Sequence, residues 1–487
     1  MLSKSPSAPF TGVIPDRETL HEVMRYIPYN RRTLTSMRCV SRPFRSAVQS
    51  PHSPWAQHKE IMVSRYGQCI IFNAQENEEG HSNFSLYSIS SIGRKFRTHS
   101  AKLLGRYHAL VANGLSRLVL HHAPVENSFF EPLGALTNLR ELELVSCRGV
   151  TSVGGASRIK GLESLTVVFC PVESDGVTGL RLSKLKKLTL RSCSKLSNLN
   201  AIHSETCASL VDVHVESCGV YDDTSSAFFG YLSANLRTLN LTSTFIDTAL
   251  THIPTAALES LTSLLVPETP FHSSTLNSLK VSLAKKLEHL SLEGCEEITE
   301  LSALGSLTKL RFLDVSRLSV LQDIECVAQC TELEMFRCAG TDLNSIAFLK
   351  NMRHLRVLDA TNTALTDYTL IHLEESPELD TVVLTGCLYI SSINAFHQCP
   401  KIRRILCGRT AVTNEGVEML TECAALEELD LKMTNVTDVN RLADCPFLKA
   451  INVCGSIMMQ DAIQRLLDKS SVEVICDSFE ENDYMDC

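Results

Sequence analysis

The residues best suited to chemistry in this chain are its 19 cysteines and 16 histidines, spread over 487 positions. Thiols at close spacing can ligate a metal, cross-link, or attack a substrate once a neighbouring base takes their proton. Cys326, Cys330 and Cys338 come nearest to a metal-ligand spacing, yet no fourth ligand follows at a suitable distance. His121, His122, His203, His252 and His289 sit at unrelated phases. No GxxxxGK[ST], HExxH or GxSxG pattern occurs, nor the motif set of a protein kinase. We therefore expect no catalytic residue, no metal site and no cofactor.

What positions the cysteines is a repeated unit, clearest over Leu426–Leu448, LEELDLKMTNVTDVNRLADCPFL. Leu426, Leu429 and Leu431 spell LxxLxL, and Thr434 follows three residues later. The same phase restarts at Leu448. Walking backwards, it recurs at Ile402, Leu379, Leu355, Leu333, Leu310, Leu287, Leu261, Leu236, Leu210, Leu185, Leu162, Leu139 and Leu115. The mean period is about 24 residues. Apolar and polar residues alternate within LxxLxL, which is the period of a strand. A single unit cannot bury its own leucines, so neighbours must stack around one core. Each coil then adds a short strand to a parallel sheet on the inner wall of an arc, on the order of 70 Å long at about 4.8 Å per strand.

Most cysteines take a place in that unit. Cys147, Cys170, Cys193, Cys218, Cys295 and Cys387 fall three residues after the last apolar residue of the motif; Thr244, Thr269, Thr341, Thr363, Thr410 and Thr434 fill the same slot elsewhere. A small side chain that donates to backbone suits a point where the strand turns away. Cys207, Cys330, Cys399, Cys423 and Cys445 precede the leading apolar residue by three, while Cys338 and Cys407 occupy the inward strand position. Buried thiols of this kind are reduced and inert. A cytoplasmic location, with the nucleus as a second option, suits them better than an oxidising compartment.

The unit resembles the leucine-rich repeat, in its cysteine-containing class; VTNEGVEML, LTDYTLIHL and NVTDVNRLA resemble that class's outer segment. The expected fold is an α/β solenoid, a horseshoe of about 15 coils with a parallel β-sheet on the concave face. It is preceded by a small N-terminal three-helix bundle.

That bundle is read over residues 14–56, after a flexible lead-in at 1–13. Leu20, Val23, Met24 and Ile27 share one helical face, with Asp16 as cap and Pro28 as stop. Leu34 and Met37 mark a second short helix, and Ser41 opens a third carrying Phe44, Ala47 and Val48. The positions Ile14-Pro15, Leu20, Val23, Ile27, Leu34, Val40-Ser41-Arg42, Phe44-Arg45 and Trp55 resemble the F-box. With the repeats behind it, the chain is similar to F-box/leucine-rich-repeat proteins. The resemblance implies docking on the Skp-family adaptor and cullin of an SCF-type cullin–RING ubiquitin ligase. Pro15, Leu20, Val23, Ile27, Leu34, Val40, Phe44 and Trp55 would form or support the docking face. The alternative is a scaffold outside ubiquitin transfer, whose N-terminal helices only cap the solenoid.

Residues 57–114 read as linker and N-terminal cap, with strands at Cys69–Phe72 and Phe84–Ile89 around a polar turn. The solenoid and its C-terminal cap occupy 115–476, ending in a helix at Met458–Leu467 and a strand at Val472–Ile475. The acidic residues 477–487 read as a disordered tail. Net charge is −9 and the pI near 6.0, which disfavours nucleic acid and anionic membrane as partners. Arg94-Lys95-Phe96-Arg97 reads as a solvated face. No window has the apolar length of a membrane span and the start lacks a signal-peptide core, so a soluble chain, monomeric outside its complex, is expected.

Binding residues follow from the strand alternation. Two positions per motif point to the concave side. From Leu310 onward, the first column reads Phe312, Met335, Val357, Thr381, Arg404, Glu428; the second reads Asp314, Arg337, Asp359, Val383, Leu406, Asp430. Most earlier positions are polar, as at Glu141, Lys187, Asp212 and Thr238. Phe312, Met335, Val357, Val383 and Leu406 thus make a diagonal apolar stripe flanked by Arg337, Asp359, Arg404 and Asp430. An apolar centre with an arginine-bearing rim is the anatomy of a protein-binding hot spot.

Overall fold

The computed structural model describes residues 60–63, 69–70, 116–121, 125–134, 136–318, 324–374, 376–458, 460–469 and 471–476. The F-box-like stretch 14–56, Phe84–Ile89, the basic segment at Arg94 and the acidic tail lie outside them. The chain divides into two compact units, Met1–Ser209 and Leu210–Cys487.

In the first unit, strands Arg117–His121, Glu141–Val145, Ser164–Val168 and Lys187–Arg191 pair in parallel, in chain order. Glu60–Val63, a strand the residue pattern did not reveal, runs parallel to Arg117–His121 and antiparallel to Cys69–Ile70. In the second unit the parallel order runs from Asp212–Glu216 through Phe312–Asp314 and Arg404–Leu406 to Ala450–Asn452 and Glu473–Ile475. Each strand opens two residues after its leading leucine, because the alternation begins there. The inward leucines form the core: Leu426, Leu429 and Leu431 are at most 1% exposed, as are Leu139, Leu142 and Leu144.

A fixed sequence of backbone devices turns the chain off each strand. In five coils Asn or Asp ends the strand and accepts from the amide two residues on, as Asp314 does from Ser316 and Asp430 from Lys432. The next turn residue is left-handed in coil after coil: Ser146, Phe169, Ser192, Ser243, Arg317, Asn362 and Met433 all have φ between 52° and 61°. Then comes the cysteine-or-threonine slot. Thr269, Thr363 and Thr410 donate to the carbonyl three residues back, at 2.7–2.8 Å. Cys295 and Cys387 donate at 3.0 Å to Val266 and Ala360 of the preceding coil. The longer C–S bond and larger sulfur suit that greater reach.

The return segments differ from the α/β expectation. Most are 3-10 turns, including Ser302–Ser306, Ala347–Asn351 and the eight residues Glu415–Glu422. Among the described residues, only Ser273–Leu283 is a helix of several turns. Coil length decides this: a 3-10 turn advances about 2.0 Å per residue against about 1.5 Å for an α-helix, so a short coil spans the gap only as 3-10. Ser273–Leu283 lies in one of the longest coils, from Leu261 to Leu287. The expected helix Met458–Leu467 is likewise broken into Gln460–Ala462 and Gln464–Leu467.

Side chains on the outer turns staple successive coils. Asp367 accepts from the amides of Ser391 and Ser392, and Asn414 from those of Thr437 and Asp438. The coils approach so closely there that a Cβ on Gly416 would lie 2.2 Å from the Ser391 carbonyl oxygen.

Candidate functional site

Strand pairing in the second unit aligns the two columns residue by residue. Phe312 pairs with Met335, Met335 with Val357, Val357 with Thr381 and Thr381 with Arg404. One step along, Asp314, Arg337, Asp359, Val383, Leu406 and Asp430 follow in the same order. The stripe residues Phe312, Met335, Val357, Val383 and Leu406 are all half-buried on the face opposite the leucine core.

Two depressions flank the start of the stripe. A cleft of about 400 Å³ lies over Phe312, Met335 and Val357, walled by Arg311, Arg356, Arg404, Glu288, Glu334 and Asp380. A second, of about 290 Å³, contains Arg337 and Asp359 with Asp314, Arg317 and Glu293. The Arg337 guanidinium carbon stands 5.6 Å from the Phe312 ring centre, a cation–π contact that joins the two. Six of the nine partner-site residues read from the sequence therefore line these two clefts. Val383, Leu406 and Asp430 continue the columns beyond them.

Several polar column residues have structural tasks as well. Asp359 accepts from the amide and hydroxyl of Thr361, and Asp430 from the Lys432 amide. Asp314 is 4% exposed and Thr381 6%, so neither offers much surface; the Arg404 Nε donates to the Thr381 hydroxyl and lies across it. Arg317 is held by Glu268 at 2.6 Å and Glu293 at 3.2 Å. The Arg317 guanidinium, helped by the Ser243 hydroxyl, holds the Glu268 carboxyl below its ordinary pKa.

The cysteines are committed to the core. Cys326 donates to Leu301 O and Cys330 to Leu304 O, while Cys338 is fully buried in its strand. The cysteines from Cys147 to Cys476 are free thiols, and no metal-holding cluster occurs among the described residues. Burial pushes the Cys330, Cys399 and Cys423 thiols up to about 12, and Cys338 and Cys407 rise too. Such thiols are protonated and unreactive at neutral pH.

Two features escaped the residue-type reading. The first is a ladder of alternating charge, one residue after each leading leucine: Glu288, Arg311, Glu334, Arg356, Asp380, Arg403, Glu427 and Lys449. Arg311 meets Glu334 at 3.1 Å, and Lys449 meets Glu427 at 2.7 Å. The first unit shows the same order in Arg140, Glu163 and Lys186. The phase of the leucines would have revealed it, had the following residue been tracked. The second is that the most exposed large apolar groups lie off the strands. Tyr221 and Phe245 stack at 4.8 Å with both rings about half exposed; Tyr368, Leu388 and Tyr389 are 67–83% exposed.

No family model matches the chain, and no curated protein matches it either. Solved structures do. An internalin of Listeria monocytogenes is similar at TM-score 0.54 and 19% identity, over 67% of this chain and 89% of the internalin. A leucine-rich-repeat protein of Leptospira interrogans is similar at TM-score 0.53 and 16% identity, over 74% of this chain and 84% of its own. The fold is that of the leucine-rich repeat. At these identities the likeness extends to the coil and its stacking, not to the residues on the open face of the sheet. Among the described residues no helix is long and apolar enough to cross a membrane.

Proposed function

We propose that this leucine-rich-repeat chain binds a protein partner on the open face of the sheet in its second unit. We further propose that it serves as the substrate receptor of a cullin–RING ubiquitin ligase. The observation that carries the first part is the register that lines up Phe312, Met335 and Val357, then Val383 and Leu406, as half-buried apolar groups beside arginine-walled clefts. Phe312, Met335, Arg337, Val357, Asp359, Val383, Arg404, Leu406 and Asp430 are the proposed contacts. A row of aliphatic and aromatic groups with charged neighbours excludes water at its centre and fixes orientation at its rim. The proposed role is to hold a partner rather than to transform it.

The second part rests on the F-box resemblance alone. Pro15, Leu20, Val23, Ile27, Leu34, Val40, Phe44 and Trp55 would dock a Skp-family adaptor, leaving the sheet face for substrate. Purification of the tagged full-length chain from its own cells tests this. Stoichiometric adaptor and cullin support the receptor; their absence at low salt, with another protein present, leaves a scaffold outside ubiquitin transfer. Partner capture by full-length protein carrying Phe312→Asp and Leu406→Asp tests the face itself. The expected result is loss of capture with an unchanged circular dichroism spectrum and melting point. Retained capture by that folded variant removes the stripe as the site.

A further inference from the structure

The cleft over Phe312, Met335 and Val357 is polarised. Of its charged walls, Glu334 is engaged by Arg311 at 3.1 Å. Asp380 is engaged by the Thr381 hydroxyl at 2.8 Å and by Arg403 and Arg404 at 3.8 and 3.9 Å. Two remain. Among the described residues, neither Glu288 nor Arg356 has a side-chain hydrogen bond or an ion pair within 4.0 Å, though the Arg356 charge, behind Lys401, helps hold the Glu378 carboxyl below its ordinary pKa. They stand on either side of the apolar floor, in coils three strand steps apart, or about 14 Å at the usual strand spacing, with Asp380 and Arg404 beyond Arg356. His289, beside the Phe312 ring at 6.2 Å between centres, extends the Glu288 end. Arg404, half exposed, extends the Arg356 end.

We propose, on the basis of the protein-binding reading above, that this cleft takes a segment of a partner protein whose apolar anchor sits between charges of opposite sign. An acidic side chain would lie at Arg356 and a basic one at Glu288, with the anchor on Phe312, Met335 and Val357. Charge complementarity over an apolar floor selects such a segment. Opposite charges that lack a close partner, one on either side of an apolar floor, reward a ligand that answers both and penalise the reverse orientation.

The test uses random dodecapeptides displayed on phage and selected on immobilised full-length protein. Enriched peptides are then measured against wild type, Arg356→Glu, Glu288→Lys and Phe312→Asp, each checked for an unchanged melting point. The expected consensus is an apolar residue with Asp or Glu on one side and Lys or Arg on the other. Each charge reversal should weaken binding by about tenfold, and a peptide with its acid changed to lysine should recover on Arg356→Glu. Peptides abolished by Phe312→Asp but indifferent to both reversals overturn the charge pattern and keep the face. Peptides indifferent to Phe312→Asp as well overturn the reading of the face itself. A selection that enriches no peptide also counts against the proposal.

Discussion

Buried thiols give this chain a residue-scale signature in its response to alkali. Desolvation raises Cys207, Cys330, Cys399 and Cys423 to about 12 and Cys445 to about 11, from an ordinary value near 9. A group whose folded pKa is raised holds its proton more tightly in the folded state. Its stabilising effect is complete below the unfolded value and lost as pH climbs through the folded one. Stability is therefore expected to fall steeply between about pH 9 and 12, with roughly one proton in the slope for each such cysteine. Urea unfolding followed across that range should show Cys399→Ala with a slope shallower by about one proton. An unchanged slope would mean that the thiol ionises freely in the folded protein. At neutral pH the same substitution acts through packing and through loss of the thiol's hydrogen bond to the Leu373 carbonyl at 3.1 Å. The twofold duty of the slot, filled by Cys or Thr, has a plain cause: both are small and both donate to a backbone carbonyl at the strand's end.

At the scale of the element, neighbouring coils are held by three layers: the leucine core, the outer Asp and Asn staples, and the alternating charges at the strand entrances. Glu427 sits between Arg403 at 3.9 Å and Lys449 at 2.7 Å, and the Lys449 ammonium holds its carboxyl below the usual range. These groups are solvated, so their contribution is modest and screened by salt. Glu427→Lys would set three cations on consecutive coils. The expected outcome is a melting point lowered at low ionic strength, with the difference from wild type closing in about 1 M salt, where the screening length is about 3 Å. A deficit that persists in high salt would point to packing instead of charge.

From Leu115 to Leu448, the leucine phase alone located the strands to within two residues, because inward burial is imposed on each coil separately. Leu379, Ile402 and Leu426 each announce a strand without reference to any neighbour. The exposure of Asp314 and Thr381 was not legible in the same way. It depends on Arg337 and Arg404, more than 20 residues away in sequence and brought alongside only by stacking. The 3-10 form of the return segments was hidden for a similar reason. Apolar spacing is satisfied by either helix type, and only the distance to be spanned decides between them. Of the proposed binding residues, Phe312, Met335, Val357 and Arg404 come together in one cleft, as the column alignment implied. Asp359 and Asp430 proved to share their carboxylates with the backbone turn, a task that LxLD does not separate from binding.

The central claim is that the open sheet face of the second unit holds a protein partner. Hydroxyl-radical footprinting of the complex purified from its own cells tests it most directly, because Met335 and Phe312 are half-exposed and react readily. The account predicts that Met335, Phe312, Val357 and Leu406 are shielded in the complex relative to the free chain. Tyr368 and Tyr389, on the outer turns, should react equally in both. Unaltered reaction at Met335 and Phe312, with protection confined to Tyr368, Leu388 and Tyr389, would contradict it.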